Sequence, residues 1–415
     1  MLLSEKAWKR LDAIGRIAAG EMTVEEAAKV LGLSRRQVQR IRGRVEKRGK
    51  EAVVHGNRGR RSGRRTPERI AKKVVAMAKG KYGGFNDQHL CECLAEAEQV
   101  ELSRSTVRRI LRAAGVAAVR RRRPSKHRRR RDRKPRAGMM IVWDGSRHDW
   151  LEGRGPMLCL IGAVDDATSE LLPGAHFEMQ ETGAGYLRVL RAIVEEKGIP
   201  LSAYGDQHSA LKRNDDHWTL EEELRGEQDP TQVGRALKAL EIERIDALSP
   251  QAKGRIERVW GTLQDRLVSE LRRANAKTAD EANAVLKRYM PGHNRRFAIP
   301  PAESIPAWRP VRSGVDIART CAFHYQSTVF NDNTVRLQGQ IIDIPPGRGG
   351  RGYAKKQVEV VQLLDGTWRV YWKDELIAAA AATAVDELRA RRRRKRSATD
   401  RAFGRAIRRI AASLP

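Results

Sequence analysis

The chain has 415 residues, enough for several domains and a sizeable core, and it carries 82 Lys+Arg against 51 Asp+Glu, a formal charge of +31 and a pI near 10.7. That balance predicts an anionic partner, most simply nucleic acid, with an anionic membrane surface as the other candidate. The longest strongly apolar run, 157–164, is far too short to span a bilayer and no signal peptide opens the chain, so a cytoplasmic, nucleoid-associated protein without membrane contact is expected.

Residues 1–48 read as a helix-turn-helix DNA-binding domain. Thr23-Val-Glu-Glu26 and Ser34-Arg-Arg-Gln37 are capping-box signatures that start two helices around the stop at Gly32. In the later helix Val38, Ile41 and Val45 repeat as an inner seam, leaving Arg36, Gln39, Arg40 and Lys47 outward with Arg35 at the shoulder. Arginine and glutamine are the side chains that read guanine and adenine edges in a major groove. Residues 49–66 are Gly/Arg-rich without periodicity, a basic linker. A second helix-turn-helix-like unit, 67–118, follows; its last helix starts at Ser103 and should bury Val107, Ile110 and Leu111 while Arg104, Arg108, Arg109 and Arg112 face DNA. His89-x-Cys91-x-Cys93 lacks the two-residue gap of a zinc knuckle, and with Cys159 and Cys321 these cysteines are read as reduced thiols.

Twelve of the seventeen residues 120–136 are Arg or Lys, a density that must be solvated or phosphate-bound; 119–137 forms a second basic linker. The pattern then turns to strands over 139–143, 157–164 and 171–178. A helix near 182–197, a strand at 201–204, a polar insertion at 211–230, a helix near 231–240, a strand at 243–246 and a helix from Ser249 onward follow. This is an α/β core over 138–300 with a mixed sheet. In the last helix Ile256, Val259, Trp260, Leu263 and Leu267 make one apolar seam, with Glu257 at its edge beside Lys253 and Gln264. Strand-like runs separated by turn residues predict a small β-barrel over 315–380. Its Gly347-x-Gly-x-x-Gly352 is no dinucleotide fingerprint, since it follows Pro345-Pro346 and precedes a strand. The basic tail 385–415 includes seven basic residues among 389–396.

Three carboxylates fall at informative places. Asp144 ends a strand, Asp206 follows a glycine at the end of another, and Glu257 sits on the helix expected behind the sheet. Ligand sites of open α/β sheets gather at strand ends, and carboxylates suit hard divalent cations. Asp165 and Asp166 are rival acids, read as turn formers after a strand; His208 is read as a surface histidine. Nothing resembles a Ser/His/Asp set, a P-loop or an H-E-x-x-H.

At Trp143-Asp144-Gly-Ser146, Tyr204-Gly-Asp206-Gln-His-Ser209 and Ser249-Pro-Gln-Ala-Lys-Gly-Arg-Ile-Glu257-Arg the chain resembles the DDE transposases of the retroviral-integrase-like superfamily, most of all the ISNCY group of bacterial insertion sequences. His293-Asn-Arg-Arg-Phe297 and Pro300-Pro-Ala-Glu303 are similar to that family's sequence after its catalytic helix. The resemblance implies a multidomain chain with N-terminal all-α helix-turn-helix units, a central α/β RNase H-like integrase core and a C-terminal small β-barrel. It also implies that Asp144, Asp206 and Glu257 ligate two Mg²⁺ ions, which Mn²⁺ can replace, for DNA cleavage and strand transfer, with Lys253 among the DNA contacts. Double-stranded DNA, both element ends and target, and at least a dimer on that DNA are the implied partners. Fifty residues separate Asp206 from Glu257, a longer gap than the family's usual one, with the insertion 211–230 accounting for the surplus. A DNA-binding regulator that kept the fold and lost the chemistry is the alternative, and the presence of all three acids favours the enzyme. A membrane-surface protein lacks a basic amphipathic helix with a large apolar face.

Overall fold

The computed structural model describes residues 4–54, 65–119, 131–213, 218, 220–247, 254–337, 339–385 and 387–388. Two compact units divide the chain, Met1–Lys73 and Val74–Pro415. In the first, helices α1 (Glu5–Ala18), α2 (Val24–Leu31) and α3 (Arg35–Arg48) enclose a small core of Ala13, Ile14, Ala27, Val38, Ile41 and Val53. Both expected capping boxes form. Thr23 N donates to the Glu26 carboxylate (2.8 Å) while Glu26 N donates to Thr23 Oγ1 (3.3 Å), and Ser34 and Gln37 repeat the exchange at 3.1 and 3.3 Å. Each box satisfies two backbone donors that a helix start would otherwise leave unpaired. With Val38 and Ile41 spent on the core, Arg36, Gln39, Arg40 and Lys47 are left exposed along α3.

The division between the units falls inside α4 (Glu68–Lys79), which is followed by α5 (Asp87–Glu98) and α6 (Arg104–Ala113). Helix α5 joins the larger unit, where Asn86 at its N-cap donates to Asp265 (2.5 Å) and Glu92 pairs with Arg266 (2.5 Å). The central elements are β1 (Ile141–His148), β2 (Leu158–Asp165), β3 (His176–Glu178), α7 (Gly183–Glu196), β4 (Ser202–Gly205), α8 (Leu220–Arg225), α9 (Gln232–Ala239), β5 (Glu243–Asp246), α10 (Gly254–Arg273) and α11 (Ala279–Phe297). They build a mixed five-stranded sheet of order β3-β2-β1-β4-β5, antiparallel among the first three strands and parallel from β1 to β5. This is the α/β core with a mixed sheet expected from the strand pattern. The third strand is shorter than expected, because Pro173-Gly174 breaks the run and leaves one bridge, Leu171 to Val164, ahead of β3. Side-chain alternation gives the sheet two apolar faces. Trp143, Ile161 and Ala203 meet α7 and α9 on one, while Val142, Leu160 and Tyr204 meet α10 and α11 on the other.

The expected barrel is corrected. After the short α12 (Ile317–Thr320), strands β6 (Phe323–Thr328), β9 (Gln357–Gln362), β10 (Trp368–Trp372) and β11 (Glu375–Ala380) form an open antiparallel sheet of order β11-β10-β9-β6, while β7 (Thr334–Leu337) and β8 (Gln340–Asp343) make a separate hairpin. Among the described residues β6 and β11 remain edges, so no closed barrel exists. The hairpin covers the sheet through Val335 and Ile342, which share a core with Val360, Trp368 and Val370. The strand-like stretches 333–344 and 367–378 each fold back into two strands, at Gly339 and at Lys373-Asp374, where the backbone takes positive φ. Gly347 to Gly352 is a 3₁₀ turn leading to a strand, with no helix after it.

Helix α11 carries a buried histidine with a measurable consequence. Both ring nitrogens of His293 lack a partner among the described residues, and the ring sits between Tyr289 (5.8 Å) and Phe297 (4.9 Å). Burial, then the charges of Arg266 and Arg296, push its pKa down from 6.5 to about 4. The unfolded chain therefore binds this proton near pH 6.5 and the folded chain only near pH 4. Stability should rise with pH across that window, by about 3 kcal/mol at most for this group. His293→Phe should remove that part of the slope, read as the wild-type minus variant difference in urea unfolding at pH 4.5 and 7; equal slopes would refute it.

Candidate active site

Parallel pairing of β1 with β4 sets Ile141 against Ala203 and Val142 against Tyr204. Two residues beyond the second pair stand Asp144 and Asp206 on neighbouring strands. Asp144 does not end its strand as expected, because antiparallel pairing with β2 carries β1 on to His148, whereas Asp206 follows the end of β4. Asp144 shares the face of Val142, the one that α10 covers. Asp206 follows the last residue of β4, and its Oδ1 accepts from His208 N (2.9 Å), which fixes the side chain at the strand end. Both acids are half-buried.

Helix α10 lies over the same face because its predicted seam, Ile256, Val259, Trp260, Leu263 and Leu267, is buried there. Gly162, the antiparallel partner of Asp144, lies beneath the Trp260 ring, where an added Cβ would come within 3.1 Å of it. Gln264 Nε2 donates to Ser146 Oγ (3.2 Å), pinning the helix to β1 two residues past Asp144. Glu257 stands one turn before Trp260, exposed in the first turn of α10. The fold thus sets all three acids on elements of one sheet face without closing them into a cage. Among the described residues, the group of three metal-ligating side chains with atoms within 4.8 Å of one another lies elsewhere, at His89, Cys93 and Glu270.

The rival acids are occupied. Asp165 is 1% exposed and accepts from Gly138 N (2.8 Å), Thr168 N (2.9 Å) and Thr168 Oγ1 (3.1 Å), closing the turn after β2. Asp166 is fully buried and receives Arg131 (2.5 Å), Lys134 N (2.8 Å) and Arg255. Burial alone would raise its pKa, but these donors outweigh it and hold the carboxyl below its ordinary value. Asp165 serves the turn, and Asp166 ties residues 131–134 and the start of α10 to it.

A fourth carboxylate went unrecognised in the sequence. Glu181 precedes the Thr182 cap of α7, accepts from Tyr186 Oη (2.6 Å), and lies 3.5 Å from His208 Nδ1. It presses on Gly145 so closely that a Cβ there would collide with it. Since Gly145 alternates with Asp144, Glu181 backs the site from the α7 face and contacts both acid-bearing segments. Burial, then Glu181, Asp144 and Asp206, push the Tyr186 phenol well up; burial, then Glu181, Asp144 and Glu178, push the Cys159 thiol up to about 12. Negative charge therefore converges where β1 passes the end of β4. No motif spacing distinguishes Glu181 in the sequence; only the fold brings it to Gly145.

The expected DNA contacts divide. Arg36, Gln39 and Arg40 are exposed on α3, and Arg35 is exposed but paired with Glu25 of α2. Arg104, Arg108 and Arg109 are exposed on α6. Arg112 does not face out as expected: it is half-buried, bidentate to Asp87 (2.6 and 2.8 Å) and bonded to Val116 O (2.9 Å), because it ties the end of α6 to the start of α5. Lys253 and most of the two densest basic runs, 120–130 and 389–396, lie outside the described residues.

Comparison with known proteins agrees with this layout. Residues 10–71 match the winged helix-turn-helix family model; the described residues of that span are helical and show no wing strand. Transposase y4bF of Sinorhizobium fredii is 34% identical over 372 residues, covering 89% of this chain and 80% of its own. The transposase for insertion sequence IS1202 of Streptococcus pneumoniae is 33% identical over 400 residues, covering 86% and 82%. The HTLV-2 integrase catalytic core domain, solved with magnesium in a dimeric form, aligns at 16% identity and a TM-score of 0.25 over 36% of this chain and 86% of its own. No helix among the described residues is long and apolar enough to cross a membrane. With more than four-fifths of its length aligned to each of these two transposases at 33–34% identity, and a helix-turn-helix match ahead of the α/β core, the chain belongs to the transposases of bacterial insertion sequences.

Proposed function

We propose that this transposase binds the terminal inverted repeats of its own element and cleaves and joins DNA by metal-dependent phosphoryl transfer of the DDE type, with Asp144, Asp206 and Glu257 as the metal-holding acids. The observation that carries the proposal is the β1–β4 register, which sets Asp144, in the middle of β1, and Asp206, just past the end of β4, equally far beyond the Val142–Tyr204 pair, beside the sheet face that α10 covers. All-oxygen donors suit Mg²⁺, with Mn²⁺ as its substitute, and exclude a soft-metal preference. Two such ions, when bound, would stabilise the attacking and leaving oxygens of an in-line displacement. The protein supplies no side-chain nucleophile; water and then a DNA 3′-hydroxyl attack. Its residues orient the acids: the Asp206–His208 turn and the Gln264–Ser146 bond hold two of their carriers, and Glu181 backs Gly145 as a positioning residue.

Recognition falls to α3, laid in a major groove with Arg36, Gln39 and Arg40 toward the bases and Arg35 at its shoulder. Arg104, Arg108 and Arg109 of α6 offer further phosphate contacts, as does Lys253, whereas Arg112 is committed to Asp87. Two ends must be joined, so the working species is at least a dimer on DNA. Purified protein mixed with a DNA carrying the element's ends should nick at those ends in Mg²⁺ or Mn²⁺ and not in a chelator. Binding without cleavage under every divalent ion would select the regulator instead.

Recognition has its own test. Arg36→Ala or Arg40→Ala should weaken binding of the element end by about 1–3 kcal/mol if either reads a base edge, while log affinity should fall linearly with log salt concentration. Binding indifferent to both salt and these substitutions would remove α3 from the interface.

A further inference from the structure

Away from the catalytic acids, α5 and α10 bring together a different set of donors. His89 and Cys93 are four residues apart on α5 and therefore share a face, and Glu270 meets them from α10. One ring nitrogen, the Cys93 sulfur and a Glu270 oxygen all lie within 4.8 Å of one another. The three residues are 3%, 8% and 9% exposed. His89 Nε2 lies 2.9 Å from Glu270 Oε1, whereas His89 Nδ1 is buried without a partner among the described residues. An imidazole left half-satisfied in a buried helix interface is costly by itself. Its orientation is nevertheless held firmly, by the Phe85 ring stacked at 4.5 Å and by the Asn86 cap, whose Oδ1 accepts from His89 N (2.8 Å).

We propose that His89, Cys93 and Glu270 form a structural zinc site that clamps α5 onto α10. Sulfur, imidazole and carboxylate together suit Zn²⁺ and disfavour Mg²⁺, so this site differs in chemistry from the catalytic acids. Tetrahedral zinc holds its donor atoms about 3.5 Å apart, which small side-chain rotations would reach from 4.8 Å. Binding exchanges the His89–Glu270 hydrogen bond for coordination through His89 Nε2, moves the ring proton from Nε2 to Nδ1, and releases the Cys93 thiol proton to solvent. Arg273, 2.5 Å from Glu270 Oε2, would steady the carboxylate from outside the coordination sphere. An adjoining cavity of about 470 Å³, lined by all three donors with Arg273 and Tyr289, gives the ion an entry path and room for a water as fourth ligand. The H-x-C-x-C spacing lacks the gap of a zinc knuckle; the third ligand comes from a helix nearly 180 residues further on. The clamp would fix the helix on which Glu257 stands.

The test uses the full chain, stripped with a chelator and titrated with Co²⁺ as the spectroscopic probe. One equivalent should give a thiolate-to-cobalt charge-transfer band in the near ultraviolet and the strong visible bands of a four-coordinate ion, and Zn²⁺ should displace both. Cys93→Ser should lose the near-ultraviolet band while Cys91→Ser and Asp144→Asn keep it, which separates this site from the catalytic acids. Circular dichroism checks the fold of Cys93→Ser; should that variant unfold, His89→Gln must weaken cobalt binding at least tenfold. A wild-type chain with no thiolate band at stoichiometric Co²⁺, a band that survives Cys93→Ser, or a His89→Gln chain that binds as tightly as the wild type overturns the proposal.

Discussion

Glu257→Gln is expected to abolish cleavage of element ends while leaving their binding unchanged. The amide keeps the shape of the side chain and removes its charge, and Glu257 is exposed, so the fold has little stake in it. A carboxylate that helps hold a catalytic cation contributes several kcal/mol of transition-state stabilisation, and a loss of that size is about 10³-fold or more in rate. If Glu257 is only a surface acid at the start of α10, the same change should leave the rate within a factor of a few. Single-turnover cleavage beside a gel-shift titration separates the two outcomes. Retained cleavage by a variant that binds normally would remove Glu257 from the site and leave the two aspartates without their helix-borne partner.

How much of this could be seen before folding varies with the range of the interactions. The capped helices of the first unit were legible because Thr23–Glu26 and Ser34–Gln37 are local, three-residue signals. The α10 seam was legible because an apolar stripe at helical spacing has one sensible outcome, burial, and every member of it is buried. Asp206 follows the end of β4 as its preceding glycine suggested, but Asp144 lies in mid-strand, because pairing with β2 extends β1 four residues beyond it, to His148. What escaped depends on contacts distant in sequence. Arg112 looked like one more outward arginine, and only Asp87, twenty-five residues away, turns it inward. Glu181 matters through Gly145 and His208, neither of which it neighbours along the chain. His89 and Cys93 have a local spacing that argues against a known metal motif until Glu270 arrives from α10. The barrel failed for a related reason: strand runs announce strands, but closure depends on whether the first and last strands meet, and β6 and β11 do not.

The identity of the first catalytic acid is open to a direct chemical test. Asp144→Cys or Asp206→Cys replaces a hard oxygen by a softer sulfur, which Mg²⁺ avoids and Mn²⁺ accepts better. Each variant should be inactive in Mg²⁺ and regain activity by at least about tenfold in Mn²⁺, with its melting temperature near that of the wild type because both acids are only half-buried. Asp165→Cys should behave in the opposite way. It orphans Gly138 N, Thr168 N and the Thr168 hydroxyl in a buried turn, a loss of about 2–4 kcal/mol, seen as a melting temperature lower by roughly 5–15 °C. Below that temperature the residual folded fraction should cleave equally well in either ion. An Asp165→Cys chain that melts normally and is revived by Mn²⁺, beside an Asp144→Cys chain active in Mg²⁺, would move the first acid from β1 to the end of β2 and separate it from the register with Asp206.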